Sequence, residues 1–221
     1  MGPITRSIIF ASITMLVLIP FTASAQQVAY TDLGSGNSFD QGIGWAEDGP
    51  LDGSTFKYSQ GMEFISHATG KLSSIDIALN GLNVSTSNPL DIYLTSSMPT
   101  SPSDITGVLE SYTLTSLPLS ASNLSTLTSL MNPTLAQGNT YYLTVVAVGK
   151  ASASWQWNSQ GIAGNLIRSL NGGNYAVVGE TTLGAFSVNL LPPAVPEASS
   201  FAGVALMGLG STLVLRRKRR V

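Results

Sequence analysis

Apolar and polar residues alternate with a period of two along much of the chain, the spacing that sets one face of a β-strand against a core and the other towards water. In residues 71–79, Ile75, Ile77 and Leu79 point one way while Ser74, Asp76 and Ala78 point the other. Leu90, Ile92 and Leu94 repeat the pattern over 90–95, and 108–114 forms a third run. Residues 140–148, rich in aromatic and β-branched side chains, form the strongest strand signal of all. Further strands are expected over 28–33, 56–66, 154–158, 166–170, 175–178 and 186–190. Between the runs stand breakers such as Asn80-Gly81, Asn88-Pro89, Met98-Pro99, Asn132-Pro133, Gln137-Gly138 and Asn171-Gly172-Gly173, too frequent for long helices. Only 119–130 leaves room for one short helix. About ten strands, some pairing across long connections, predict an all-β domain: a jelly-roll-like antiparallel β-sandwich over residues 26–190. No internal repeat points to a propeller or a parallel β-helix.

Two segments break the alternation, one at each end. Arg6 precedes an uncharged apolar run that closes on Ala23-Ser24-Ala25. Small side chains at Ala23 and Ala25 fit the shallow pockets of signal peptidase, so residues 1–25 read as a signal helix cut after Ala25. The alternative, a retained anchor, is opposed by the shortness of the run and by Pro20, which interrupts it. At the other end, residues 198–215 carry no charge and are followed by Arg216, Arg217, Lys218, Arg219 and Arg220. A helix of that length rises about 27 Å, just enough for a hydrocarbon core of about 30 Å with local thinning. Clustered cations stay on the cytoplasmic side, which puts the β-domain outside and residues 216–221 inside. Residues 191–197, with prolines at 192, 193 and 196, form a stiff extended linker of the kind a protease can bind.

The order Val195-Pro196-Glu197, apolar segment, basic cluster resembles the bacterial PEP-CTERM sorting signal, although Ala198 stands where that family usually has a second proline. The resemblance covers about the last 27 residues. It implies transient residence in the inner membrane, an exosortase cut near Pro196 and Glu197, and release to the envelope, surface or matrix of a Gram-negative-type bacterium. Such tails also carry the label ice-binding protein C-terminal domain, which describes an address. An ice-binding face needs regularly spaced Thr pairs, and only Thr113/Thr115 and Thr126/Thr128 occur, without regular spacing. The β-domain is similar to uncharacterised domains that precede such tails, through Gly44-Trp45-Ala46, residues 60–64, 72–79, 108–110, 132–135, 138–143, 155–158 and 184–186. That likeness implies the sandwich and no chemistry.

Charge changes the picture of partners. Residues 26–190 hold four cations against eleven carboxylates, a net of −7, while the basic residues gather in the tail. An acidic domain repels phosphates, so nucleic acid is not an expected partner. The chain has no cysteine, which excludes thiol catalysis, thiolate metal sites and disulfides.

Candidate chemistry is sparse. His67 is the only histidine, and a triad with Ser66 or Ser74 competes with an ordinary strand-end histidine. No Gly-x-Ser-x-Gly elbow or His-Glu-x-x-His helix is present. Glu63, Asp76, Asp91 and Glu110 could supply a glycosidase pair, which needs two carboxyls about 5 to 9.5 Å apart, but spacing selects none. Asp40, Glu47, Asp48 and Asp52, interleaved with glycines, offer calcium a set of hard oxygens in no EF-hand pattern; a solvated acidic loop is the simpler reading. For binding, Trp155 and Trp157 lie two apart on a strand and so share a face, a sugar platform flanked by Asn165, Asn171 and Tyr175. The competing reading places both indoles in the core. The leading expectation is a non-enzymatic surface or matrix protein with no cofactor. A carbohydrate-binding module for exopolysaccharide is the second, and a secreted glycosidase or esterase the third.

Overall fold

Among the described residues fourteen strands form, where the alternation is cleanest and also where glycine obscures it. They are β1 (Gln27–Thr31), β2 (Phe39–Asp48), β3 (Tyr58–Ile65), β4 (Gly70–Ile77), β5 (Leu79–Gly81), β6 (Leu90–Thr95), β7 (Val108–Leu114), β8 (Ser125–Thr128), β9 (Thr134–Leu135), β10 (Thr140–Ala147), β11 (Ser152–Asn158), β12 (Ala163–Leu170), β13 (Ala176–Thr182) and β14 (Phe186–Leu190). The computed structural model describes residues 26–48, 56–81, 83–117 and 123–193. The expected signal helix with Ala23 and Ala25, the sorting motif Val195, Pro196 and Glu197, the apolar segment 198–215, the basic residues 216–220 and Asp52 lie outside these residues. Within them the sole helical element is a 3-10 turn at Ser35–Asn37.

The expectation of about ten strands is corrected upward. Residues 39–48, expected to belong to an acidic loop, are the ten-residue β2. Its glycines serve close packing: a Cβ on Gly44 would lie 2.6 Å from the Trp155 carbonyl oxygen, so only glycine lets β11 approach there. Residues 125–128, inside the segment with room for a helix, are β8, and Asn80-Gly81 lies within β5 rather than breaking it.

Every strand pairing is antiparallel. The smaller sheet runs β1-β14-β4-β8, with β9 continuing along β4. The larger runs β5-β11-β2-β3-β10-β6-β7, and the β12–β13 hairpin joins it along β3. Strand β2 meets β3 only at Asp48 opposite Tyr58, a residue that also lies opposite Leu170 of β12. Ile75, Ile77 and Val188 of the smaller sheet pack against Met62, Leu94, Leu143 and Trp155 of the larger, all fully buried. Each such side chain contributes roughly 1.5–3 kcal/mol by leaving water. Phe186 joins the layers: its ring lies 4.8 Å from Tyr30, 5.5 Å from Phe64 and 5.8 Å from Trp155, centre to centre.

First and last strands are neighbours. Gln27 of β1 lies opposite Leu190 of β14, so the fold begins and ends at one place on the smaller sheet. The last ladder contact is the Leu191 N–H to the Lys71 carbonyl at 2.8 Å, after which residues 191–193 are exposed.

Candidate functional site

The expected platform of Trp155 and Trp157 does not form. Trp155 is fully buried, its indole N–H donating to the Ala185 carbonyl at 3.1 Å and its ring set edge-on against Phe186. Trp45 lies opposite Trp155 in the β2–β11 ladder, and beyond Gln156 the ladder is irregular, with residues 40–43 of β2 set against Trp157 alone. Tyr175 is also buried, at 5 % exposure, and so flanks no surface platform. Asn171 is a turn residue with φ of 54° whose side chain accepts the Lys57 N–H.

Trp157 instead meets Trp45 of β2, with ring centres 5.4 Å apart and planes at 47°. The Trp45 indole N–H donates to the Thr182 carbonyl at 2.8 Å. The Arg168 guanidinium stands 5.3 Å from the Trp45 ring centre and 6.0 Å from that of Tyr58, within cation–π range. The result is a half-buried group of two indoles, a phenol and a cation drawn from β2, β3, β11 and β12. Sequence reasoning noticed Trp45 only as part of a family likeness. Phe39, Ile43, Trp45 and Glu47 do share one parity along 39–48, which is the signal that could have found it.

Beside this group lies a cleft of about 430 Å³ whose lining includes Glu63, Asn165, Glu180, His67 and Tyr30. Asn165 lies opposite Glu180 on β13 and donates its amide to Glu63 Oε1 at 3.1 Å, so one amide stands between two acidic side chains. The two features adjoin: Thr182, which accepts from Trp45, lies opposite Ala163, which lines the cleft. The arrangement offers acceptors and aromatic edges to a hydroxyl-rich ligand.

The other carboxylates proposed for glycoside hydrolysis are committed elsewhere. Asp76 accepts from Thr126 at 2.6 Å and Asn189 at 2.7 Å, and Asp91 accepts from Thr113 at 2.8 Å. Glu110, buried at the other edge of the sandwich, receives the Ser129 hydroxyl at 2.6 Å and the N–H groups of Leu130 and Met131. Glu63, Asp76, Asp91 and Glu110 therefore do not converge. The Ser66 hydroxyl donates to the Ala68 carbonyl at 2.7 Å, and Ser74 accepts from Asn189 at 3.2 Å, so both serines suggested as partners of His67 are held in local bonds.

The calcium candidates also separate. Asp40 accepts the Gly42 N–H at 3.0 Å, and Asp48 accepts the Ser152 hydroxyl at 2.7 Å. Glu47 is fully buried and accepts the Gln60 N–H at 3.1 Å where β2 parts from β3. Among the described residues no group of three or more His, Cys, Asp or Glu is placed to hold a metal.

Two buried acids have perturbed protonation. Burial raises the Glu47 carboxyl well above the usual range, Asp48 adds to the rise, and the Gln60 N–H and Arg168 oppose it. Burial likewise raises Asp32 to about 7, against the opposing N–H of Phe186 and the Tyr30 hydroxyl. Asp32 does not line the cleft; its carboxyl accepts the Phe186 N–H at 2.7 Å and the Tyr30 hydroxyl at 3.4 Å.

Neither protein-family models nor curated proteins match the chain. The site therefore rests on its own geometry. Among the described residues no helix is long and apolar enough to cross a membrane.

Proposed function

We propose that this chain is an exported, non-enzymatic surface or matrix protein, parked in the inner membrane by residues 198–215 and released by an exosortase near Pro196 and Glu197. The observation that carries this reading is the pairing of Gln27 with Leu190. Strand β1 begins two residues after Ala25, and the exposed stretch from Leu191 begins before the sorting motif, so both expected cuts spare every strand. Because the two exits adjoin, signal helix and tail can hold the domain at the same spot on the membrane without pulling its sheets apart. In this reading the sandwich is of jelly-roll type, supported by the adjacent first and last strands and the long connection between β4 and β14.

Fractionation of cells with and without exosortase tests it. The protein is expected in the envelope or medium when the exosortase is present and in the inner membrane when it is absent. Equal distribution in the two strains would sink the sorting reading.

A second reading has its own observation: the Trp45–Trp157 pair with Arg168 beside the Glu63–Asn165–Glu180 cleft. Indole faces stack on the apolar faces of sugars, and the polar groups meet hydroxyls. Exopolysaccharide of the matrix is the proposed ligand. Binding on a glycan array should be lost in Trp157→Ala and kept in Thr86→Ala. Binding unchanged in Trp157→Ala would remove this site.

A further inference from the structure

The two largest apolar exposures among the described residues lie near where the fold ends. Leu130 is 84 % exposed and Met131 76 %, the two most exposed large apolar side chains among the described residues. They stand side by side on the turn between β8 and β9. Mobile loops expose apolar groups at little cost, but this turn is fixed. Glu110 receives the N–H groups of both residues, the Asn132 N–H donates to the Ser129 hydroxyl at 2.9 Å, and the Asn132 amide donates to the Leu72 carbonyl at 3.1 Å. Asn132 adopts φ of 46°, a left-handed conformation that asparagine tolerates.

Leu72 lies opposite Leu190, so the turn sits at the level of the chain's exit, two strands across the smaller sheet. Strands are spaced about 4.8 Å apart, which puts the turn about 10 Å from the exit. The same level carries Val28 at 38 % exposure and Leu191 at 39 %. It also carries exposed Lys71, whose carbonyl accepts from Leu191 and which is one of only four cations in residues 26–190. Apolar side chains with a cation at their border, in an otherwise acidic domain, match the hydrocarbon edge and anionic headgroups of a bilayer.

We propose that this rim, Val28, Lys71, Leu130, Met131 and Leu191, rests on the lipid surface, with Leu130 and Met131 entering the hydrocarbon edge while the tail spans the bilayer. The proposal deepens the function above and rests on residues 198–215 spanning. Residues 191–197 reach at most about 25 Å when fully extended, so the tether keeps the exit end of the sandwich close to the headgroups. Docking at the rim would orient the linker identically in every molecule and present Pro196 and Glu197 at a constant height to a membrane-embedded protease.

The chain's lack of cysteine allows a direct test with the full-length protein. Leu130→Cys, Met131→Cys, Thr86→Cys at the opposite end of β6 and β10, and Leu206→Cys within the apolar segment are each labelled with an environment-sensitive fluorophore. They are then reconstituted in phosphatidylethanolamine–phosphatidylglycerol vesicles containing lipids with a quencher on the acyl chain. Labels at 130, 131 and 206 should lose most of their fluorescence, and the label at 86 should keep its own. Quenching at 206 without quenching at 130 and 131 overturns the rim and leaves the membrane tail standing. No quenching at 206 sinks the spanning tail and the rim with it. Labels at 130 and 131 that are shielded in detergent, in a chain that elutes as a dimer, would assign the rim to a second copy and overturn the lipid.

Discussion

Asp32 and Phe186 exchange two hydrogen bonds: the Phe186 N–H donates to Asp32 Oδ1 at 2.7 Å, and the Asp32 N–H donates to the Phe186 carbonyl at 3.2 Å. The link ties the end of the first strand to the start of the last through a carboxyl that is fully buried.

That burial makes stability depend on pH. The Asp32 carboxyl titrates near 7 in the fold against 3.8 when exposed, so between these values the folded chain holds a proton that the unfolded chain lacks. Its contribution is full below about pH 4 and is lost as pH rises towards 7. Asp32→Asn, which keeps an oxygen for the Phe186 N–H, should flatten this slope and gain about 1–4 kcal/mol at pH 7 relative to the parent. Thermal melts from pH 4 to 8 check it; parallel curves for the two proteins would contradict the assignment. The raised Glu47 carboxyl tilts the parent and the variant in the same direction.

Glu110 should matter to local order more than its position near a sheet edge suggests. Glu110→Ala leaves the Ser129 hydroxyl and two backbone N–H groups without their acceptor, at a cost of about 2–4 kcal/mol. Hydrogen exchange at Leu130 and Met131 should accelerate in the variant by orders of magnitude. Unchanged exchange would mean that the turn holds itself.

Trp155 and Trp157 should respond differently to truncation. Trp155→Ala removes a ring packed on Phe186 and is expected to cost about 3–5 kcal/mol or to prevent folding. Trp157→Ala opens a half-buried site and should cost clearly less, with an intact melt. Equal losses in urea titration would show that both indoles are core. Gly184→Ala provides a second probe: its Cβ would stand 2.5 Å from the Trp155 ring, and the variant should lose stability through that contact.

Period-two alternation located β6, β7 and β14 to the residue, because apolar and polar side chains alternate along each and no glycine blurs the pattern. Strand β2 was illegible for the opposite reason. Gly42 and Gly44 read as part of an acidic loop, although Gly44 lets the backbone of Trp155 come close. The candidate site was half legible. Trp157 could be named from its spacing, but its neighbour Trp45, which lies opposite Trp155 on β2, could not, because β2 itself was not legible. The cleft was hidden because Glu63, Asn165 and Glu180 meet only through the β12 pairings with β3 and β13.

We propose that one fold, closed by Gln27 against Leu190, is freed at both ends during export. Intact-mass analysis of the protein recovered from the envelope or medium tests it most directly. The account predicts a chain that starts at Gln26 and ends within the linker near Pro196 and Glu197. A mass that retains residues 198–221 would contradict it and leave a permanently anchored protein.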